Sequence, residues 1–355
     1  AGFASLHNFP AGSREGNHWG DAVSIFRTVL GTPYFFNFHN GDNGHTLIAG
    51  PFGAGKTMLM NFLTCQSRKF KNKLYYFGYQ HSGHIFINSI QGSYLSINQE
   101  PSDPKRLKIN PLFLPDSPDN RNFLSVWFGA LVNYGKVPID SVELNLIPRI
   151  VDQIVSSKTI KLSQAAEYFN SSATQNIYHK LSIWHEQESN LSDNLVNAFN
   201  INSISEHKSL VIPVASYLLY KIESLLDGSK TMIVLDEAWR LIDNYITGPK
   251  INDWLIRLRK KNCMVIFATE SIKDISQSNI TTEIHHNIAT QIFLPDLQPT
   301  DYYKTVFGLN ENEFNLLSAM STSDHHFLLK HNDDSIVASL DLSGLSDNVA
   351  VLSSN

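Results

Sequence analysis

The chain has 355 residues, 42% hydrophobic and 17% charged, which is enough apolar material for a real core and excludes a disordered segment. Its net charge of −5 excludes a broad basic face wrapped around nucleic acid, although a local basic lining would not register in the sum. Its two cysteines, Cys65 and Cys263, lie far apart and suit reduced, buried residues of a cytosolic protein rather than a disulfide framework.

No apolar run reaches the roughly 18 residues of a membrane-spanning helix, and no signal peptide opens the chain. The first residue is alanine and the opening is polar, which suits a fragment of a longer protein. Phe26 to Leu30 reads as a short helix or strand, and Pro33 to Phe38 as a strand leading toward the next motif. Asn40 to Gly44 is a turn by composition, and Asp42-Asn43-Gly44 predicts a hairpin into the strand that follows. That strand is His45 to Ala49.

Next comes Gly50-Pro51-Phe52-Gly53-Ala54-Gly55-Lys56-Thr57, which fits G-x-x-x-x-G-K-[ST], the phosphate-binding loop of nucleoside triphosphatases. Met58, Leu59, Phe62 and Leu63 then recur at helical spacing. A glycine-rich turn between a strand end and a helix start presents free backbone N–H groups and a helix dipole to an anion. The loop predicts a bound nucleoside triphosphate with Mg²⁺. Lys56 would meet the β- and γ-phosphates and Thr57 would reach the metal, with Met58 continuing the cradle.

Lys73 to Phe77, Tyr94 to Ile97 and Lys108 to Leu112 are further extended pieces. Strands alternating with helices predict a parallel sheet with right-handed crossovers. From about Pro118 to Asp193 helical periods take over, and this stretch reads as an all-helical insertion. There Ile139, Val142, Leu146, Ile150 and Ile154 trace one face, Asp140 and Glu143 form a cap, and Pro148 predicts a kink. Tyr168, Ile177, Tyr178, Leu181 and Trp184 extend the helical character. The implied units are residues 1–112 with 195–355 as the nucleotide-binding domain, and 113–194 as the insertion.

Alternating character resumes at Val196 to Ile201, followed by a helix over Val211 to Leu226 with Gly228 as its stop. In Ile233-Val-Leu-Asp236-Glu237 an apolar run buries a strand and delivers two carboxylates at its carboxyl end. Asp236 would hold the Mg²⁺ shell and Glu237 would orient or deprotonate the attacking water. A helix over 250–261 buries Ile251, Trp254, Leu255 and Leu258 and shows a basic face of Lys250, Arg257, Lys260 and Lys261. Arg257 and Arg259 are candidates for an arginine that reaches a neighbouring subunit's nucleotide. Met264 to Glu270 is a buried strand whose last residues, Thr269 and Glu270, can sense the γ-phosphate. Gln291 to Leu294 is the next strand, and 327–330 with 335–339 reads as an edge hairpin. The pairs His81/His84, His285/His286 and His325/His326 lack a third ligand at zinc-like spacing and read as surface or structural histidines.

Taken together, these strings resemble the CagE/TrbE/VirB-type ATPases of type IV secretion and conjugation, over nearly the whole chain and as the C-terminal ATPase portion of such a protein. The residues that carry the resemblance are His7-Asn-Phe-Pro10, Gly16 to Gly20, Gly44 to Ile48 running into the phosphate loop, Asn110-Pro111-Leu112, Leu235 to Trp239, Leu258 to Lys261, Phe267 to Ser271 and Thr290 to Pro295. The resemblance implies a RecA-like P-loop core in an α/β fold with a mainly parallel sheet and an all-helical insertion domain. It also implies ATP and Mg²⁺ as ligands, a hexamer or dimer, and a place at the cytoplasmic face of the bacterial inner membrane beside other secretion components. The family's charged cluster after the second strand is replaced here by Phe77-Gly78-Tyr79-Gln80-His81-Ser82-Gly83, a following Arg by Asn88, and the sensor Gln by Glu270. Those departures keep two other readings open: a nucleotide-binding assembly or scaffold subunit with weak or no turnover, and a DNA-translocating conjugation motor.

Overall fold

A computed structural model describes residues 10–78, 83–96, 105–133, 141–169, 171–178, 191, 194–200, 208–237, 246–270, 272–277, 286–331 and 334–353. The strands among them are β1 (Ser24–Thr28), β2 (Pro33–Phe36), β3 (Thr46–Ala49), β4 (Lys73–Gly78), β5 (Ser93–Leu95), β6 (Val196–Asn200), β7 (Thr231–Asp236), β8 (Cys263–Thr269), β9 (Thr290–Phe293), β10 (His326–His331) and β11 (Asp334–Ser339). They form one sheet in the order β2-β1-β11-β10-β9-β3-β8-β7-β4-β6-β5. From β9 to β5 neighbouring strands run parallel, while β10, β11, β1 and β2 add an antiparallel wing.

The helices are α1 (Lys56–Ser67), α2 (His84–Ser89), α3 (Pro118–Asn133), α4 (Ser141–Ser156), α5 (Leu162–Ala166), α6 (Ser171–Tyr178), α7 (Lys208–Ser224), α8 (Thr247–Arg257), α9 (Ile272–Gln277), α10 (Tyr302–Thr305), α11 (Glu311–Ala319) and α12 (Ser346–Ser353). The central strands read as near-continuous apolar runs because both faces are covered. Alternate residues feed two cores. Leu47, Tyr75, Ile233, Leu235, Val265 and Phe267 join one with α3, α4, α7 and α8. Ile48, Tyr76, Val234, Ile266 and Ala268 join the other with Leu59, Met60 and Leu63 of α1.

Between Pro118 and Tyr178 the described chain is mainly helical. Its helix α3 packs on α4, α6 and α7. The Trp127 indole donates to the Pro213 carbonyl at 3.0 Å, and Phe123 stacks on Tyr220 with centroids 3.9 Å apart.

Several local expectations need correcting. The turn at 40–43 closes as predicted, with Asn40 N–H donating to the Asn43 carbonyl at 2.8 Å. It does not make a hairpin into β3. Strand β2 pairs with β1 at the sheet edge, because both edges of β3 are already taken by β8 and β9. The β10–β11 hairpin forms, with His331 opposite Asp334, but it lies inside the sheet because β1 adds to its outer strand. On α4 the buried face is Ile147, Val151 and Ile154, whereas Val142 is 65% and Leu146 43% exposed. That helix carries apolar residues on more than one side, and packing against α3 rather than sequence spacing sets which side turns inward. Residues 108–112 are only partly extended: Asn110 caps a short 3-10 turn over Pro111–Phe113, accepting from the Leu112 N–H at 3.1 Å. Ile139, Asp140, Leu181 and Trp184 lie outside the described residues, as do 79–82 and 97.

Candidate nucleotide site

All four residues of β3 are buried, as is Gly50, so the chain leaves the core only at Pro51. The Gly50 N–H donates to the Thr269 carbonyl at 3.3 Å. A Cβ at Gly50 would stand 2.8 Å from the Leu294 Cβ, closer than real side chains approach, so only glycine passes there. Gly53 (φ 79°) and Gly55 (φ 96°) take the left-handed conformation that favours glycine, and they fold the loop back over the start of α1. Helix α1 has no side-chain N-cap bond and no acidic residue in its first turn. Its first turn therefore offers backbone N–H groups to an anion with no acidic residue of its own to compete. Thr57 and Met58 are half-buried on that first turn, and Phe52 at the loop tip is 88% exposed.

Lys56 is buried, and its Nζ donates to the Pro51 carbonyl at 3.0 Å. Burial lowers the pKa of this ammonium, and the carboxylates of Glu237, Glu270 and Asp236 oppose that shift. The sequence elements that end at these three acids are far apart in the chain, yet the sheet brings them into electrostatic reach of one lysine. Register explains it. Ala49 pairs with Thr269 and Asp236 with Ala268, so β3, β8 and β7 end at one level. Strand β8 lies between the loop strand and the carboxylate strand. Thr269 is buried there and Glu270 exposed.

Asp236 and Glu237 are both half-buried. Glu237 adopts φ 54°, a left-handed conformation uncommon for a residue with a side chain and one that clusters at functional sites. The Thr57 hydroxyl and the Asp236 carboxylate offer hard oxygen donors of the kind Mg²⁺ takes, and the cradle of glycines and N–H groups fits a polyphosphate.

Arg257 and Arg259 are not brought to this edge. The 3-10 turn Leu258–Lys261 precedes β8 at its amino end, which a seven-residue strand separates from the site by roughly 20 Å. Arg257 pairs with Asp253 and lies 3.8 Å from Glu223, and Arg259 Nη1 lies 3.8 Å from Asp42 Oδ1. Sequence reasoning missed Leu294, which supports the loop from β9. Only the parallel pairing of β9 with β3 identifies it.

No family model matches the chain. A type IV secretion system protein virB4 of Bartonella henselae is 32% identical over 370 residues, covering 99% of this chain and 47% of that protein. Over nearly its whole length the chain is similar to VirB4-type proteins of type IV secretion systems. A second relative, the type IV secretion system protein PtlC of Bordetella pertussis, is 27% identical over 394 residues, again covering 47% of its length. The chain thus spans about half the length of the curated relatives it matches. Among solved structures, VirB4 of Thermoanaerobacter pseudethanolicus superposes with TM-score 0.74 at 14% identity, over 94% of this chain and 100% of that one. The plasmid coupling protein TrwB, solved with ADP and Mg²⁺, gives TM-score 0.61 at 12% identity over 90% of both chains. Both neighbours share this chain's expected α/β P-loop NTPase fold, with its mainly parallel sheet and associated helices.

Proposed function

We propose that the chain is the ATP-hydrolysing part of a subunit that energises assembly or substrate transfer in a type IV secretion system. The observation that carries this reading is the convergence of Lys56 with Glu237, Glu270 and Asp236 at the carboxyl edge of the sheet. Residues Gly50 to Met58 would hold the polyphosphate through backbone N–H groups, with Lys56 on the β- and γ-phosphates. Thr57 and Asp236 would hold Mg²⁺. When bound, that ion would supply positive charge that offsets the charge developing on the phosphate oxygens.

Glu237 orients a water and takes its proton as the water oxygen bonds to the γ-phosphorus and the bond to the β-phosphate oxygen breaks, giving ADP and phosphate. Glu270 follows Thr269 at the end of β8 and senses whether the γ-phosphate is present. Arg257 and Arg259 lie at the opposite sheet edge, so either would serve catalysis only at the nucleotide of a neighbouring copy, in a hexamer or dimer. Residues 1–112 and 195–355 form the nucleotide-binding domain in this account, and 113–194 the helical insertion that receives its motion. The place of work is the cytoplasmic face of the inner membrane beside other secretion components. No helix of the described residues is long and apolar enough to cross a membrane.

The test is MgATP binding by the purified chain and its Lys56→Ala variant. Loss of binding, by about tenfold or more, is expected. Unchanged affinity would remove the loop from the account.

A further inference from the structure

A cavity of about 220 Å³ lies beside the phosphate loop. One wall is the loop at Gly53, Ala54 and Gly55 with Met58 and Leu59 of α1. The facing wall is the turn from Thr322 to Phe327, which carries the paired histidines that sequence reading left without a role. We infer that this cavity receives the purine base of the nucleotide and that His325 and His326 read its edge. The inference rests on the reading that the loop holds the triphosphate.

Three observations support it. First, position: a base must lie within a ribose length of the α-phosphate, and this cavity opens from the residues that would hold the phosphates. Second, lining: Met58, Leu294, Phe327 and Leu340 provide apolar surfaces for a flat ring, and Thr322 with the two imidazoles provides the few polar groups. An apolar lining with sparse polar groups is the usual composition of a small-molecule site. A neutral imidazole offers one donor and one acceptor, which suits the mixed edge of a purine.

Third, rigidity. Leu294 underlies the loop, with its Cδ2 3.7 Å from where a Cβ on Gly55 would sit. Phe327 packs edge-on against Phe26, centroids 5.0 Å apart. His325 is held at φ 53°, and its carbonyl accepts from the Leu340 N–H at 3.2 Å. His326 opens β10 in register with Ser339. Both histidines therefore hang from fixed backbone rather than from a free loop.

The experiment compares binding of ATP, CTP and inorganic tripolyphosphate, each with Mg²⁺, to the wild-type chain, to a His325→Asn/His326→Ala variant and to Lys56→Ala. Asparagine tolerates the left-handed backbone at 325. The expected result is that the histidine variant loses about tenfold in ATP affinity and most of its preference for ATP over CTP. Its tripolyphosphate affinity stays unchanged, which also shows that the variant is folded. An unchanged ratio of ATP to tripolyphosphate affinity in that variant overturns the inference. Tripolyphosphate binding that survives in Lys56→Ala overturns the phosphate-loop reading instead, so the two failures are distinct.

Discussion

The amide of Gly50 donates to the carbonyl of Thr269 across 3.3 Å. This bond ties the first residue of the phosphate loop to the end of the strand that delivers Glu270. The loop is therefore braced on one side by β8, and on the other by Leu294 beyond the end of β9.

Gly50→Ala tests that bracing. Its new Cβ would meet the Leu294 Cβ at 2.8 Å, and overpacking of this kind costs about 1–3 kcal/mol. Urea unfolding is expected to show that loss together with weaker nucleotide binding. Adding Leu294→Gly removes that Cβ and makes room, so the double variant should recover nucleotide binding relative to Gly50→Ala alone. Strictly additive losses in the double-mutant cycle would contradict the contact.

Asn262 is the corresponding brace at the amino edge. It sits at φ 55°, accepts from the Trp19 indole at 2.6 Å, contacts His18 Nε2 at 3.1 Å, and donates to the Gly228 carbonyl at 3.1 Å. Asn262→Ala removes these bonds and keeps a Cβ in a left-handed backbone, at a cost of about 2–4 kcal/mol. Asn262→Gly removes the same bonds but relaxes the backbone, so it should be about 1 kcal/mol the more stable of the two. Equal or reversed stabilities measured by denaturant unfolding would reject this division.

Two buried histidines predict acid sensitivity. Burial, with Arg259 beside it, lowers His45 to about 4, and burial with the neighbouring His18, His45 and His331 lowers His39 to about 3. Below the ordinary value of 6.5 the unfolded chain binds protons that the folded chain refuses, so stability falls as pH drops from 6.5 toward 4. Each histidine contributes about 1.4 kcal/mol per pH unit within that window. His45→Asn keeps an acceptor for the Val265 N–H, which His45 Nδ1 receives at 3.0 Å, but carries no titrating ring. Its stability should decline less steeply between pH 6 and 4.5. A slope equal to that of the wild type would assign the acid sensitivity to other groups.

Most of the sheet's strands are legible because each is a short apolar run bounded by turn residues, although β1, with Arg27 inside it, reads equally as helix or strand, and the loop and Asp236-Glu237 are legible because their spacing is local. Pairing was not legible. Nothing near Pro33 says that β2 avoids β3, because the reason is occupancy of both β3 edges by strands hundreds of residues away in sequence. The buried face of α4 was misread for a similar reason: Val142 and Leu146 alternate with Leu144 and Ile147 closely enough that only the packing partner decides. His45 reads as part of an apolar strand, yet only the fold places its Nδ1 against the Val265 amide.

The central claim is that Glu237 converts binding into turnover, and phosphate release from MgATP by the purified chain and by Glu237→Gln tests it most directly. The account predicts measurable turnover by the wild type, with Glu237→Gln binding MgATP as tightly but releasing phosphate at least about a hundredfold more slowly. Equal rates for the two proteins, or binding without turnover in both, would contradict it and leave a subunit that uses nucleotide only to hold its shape.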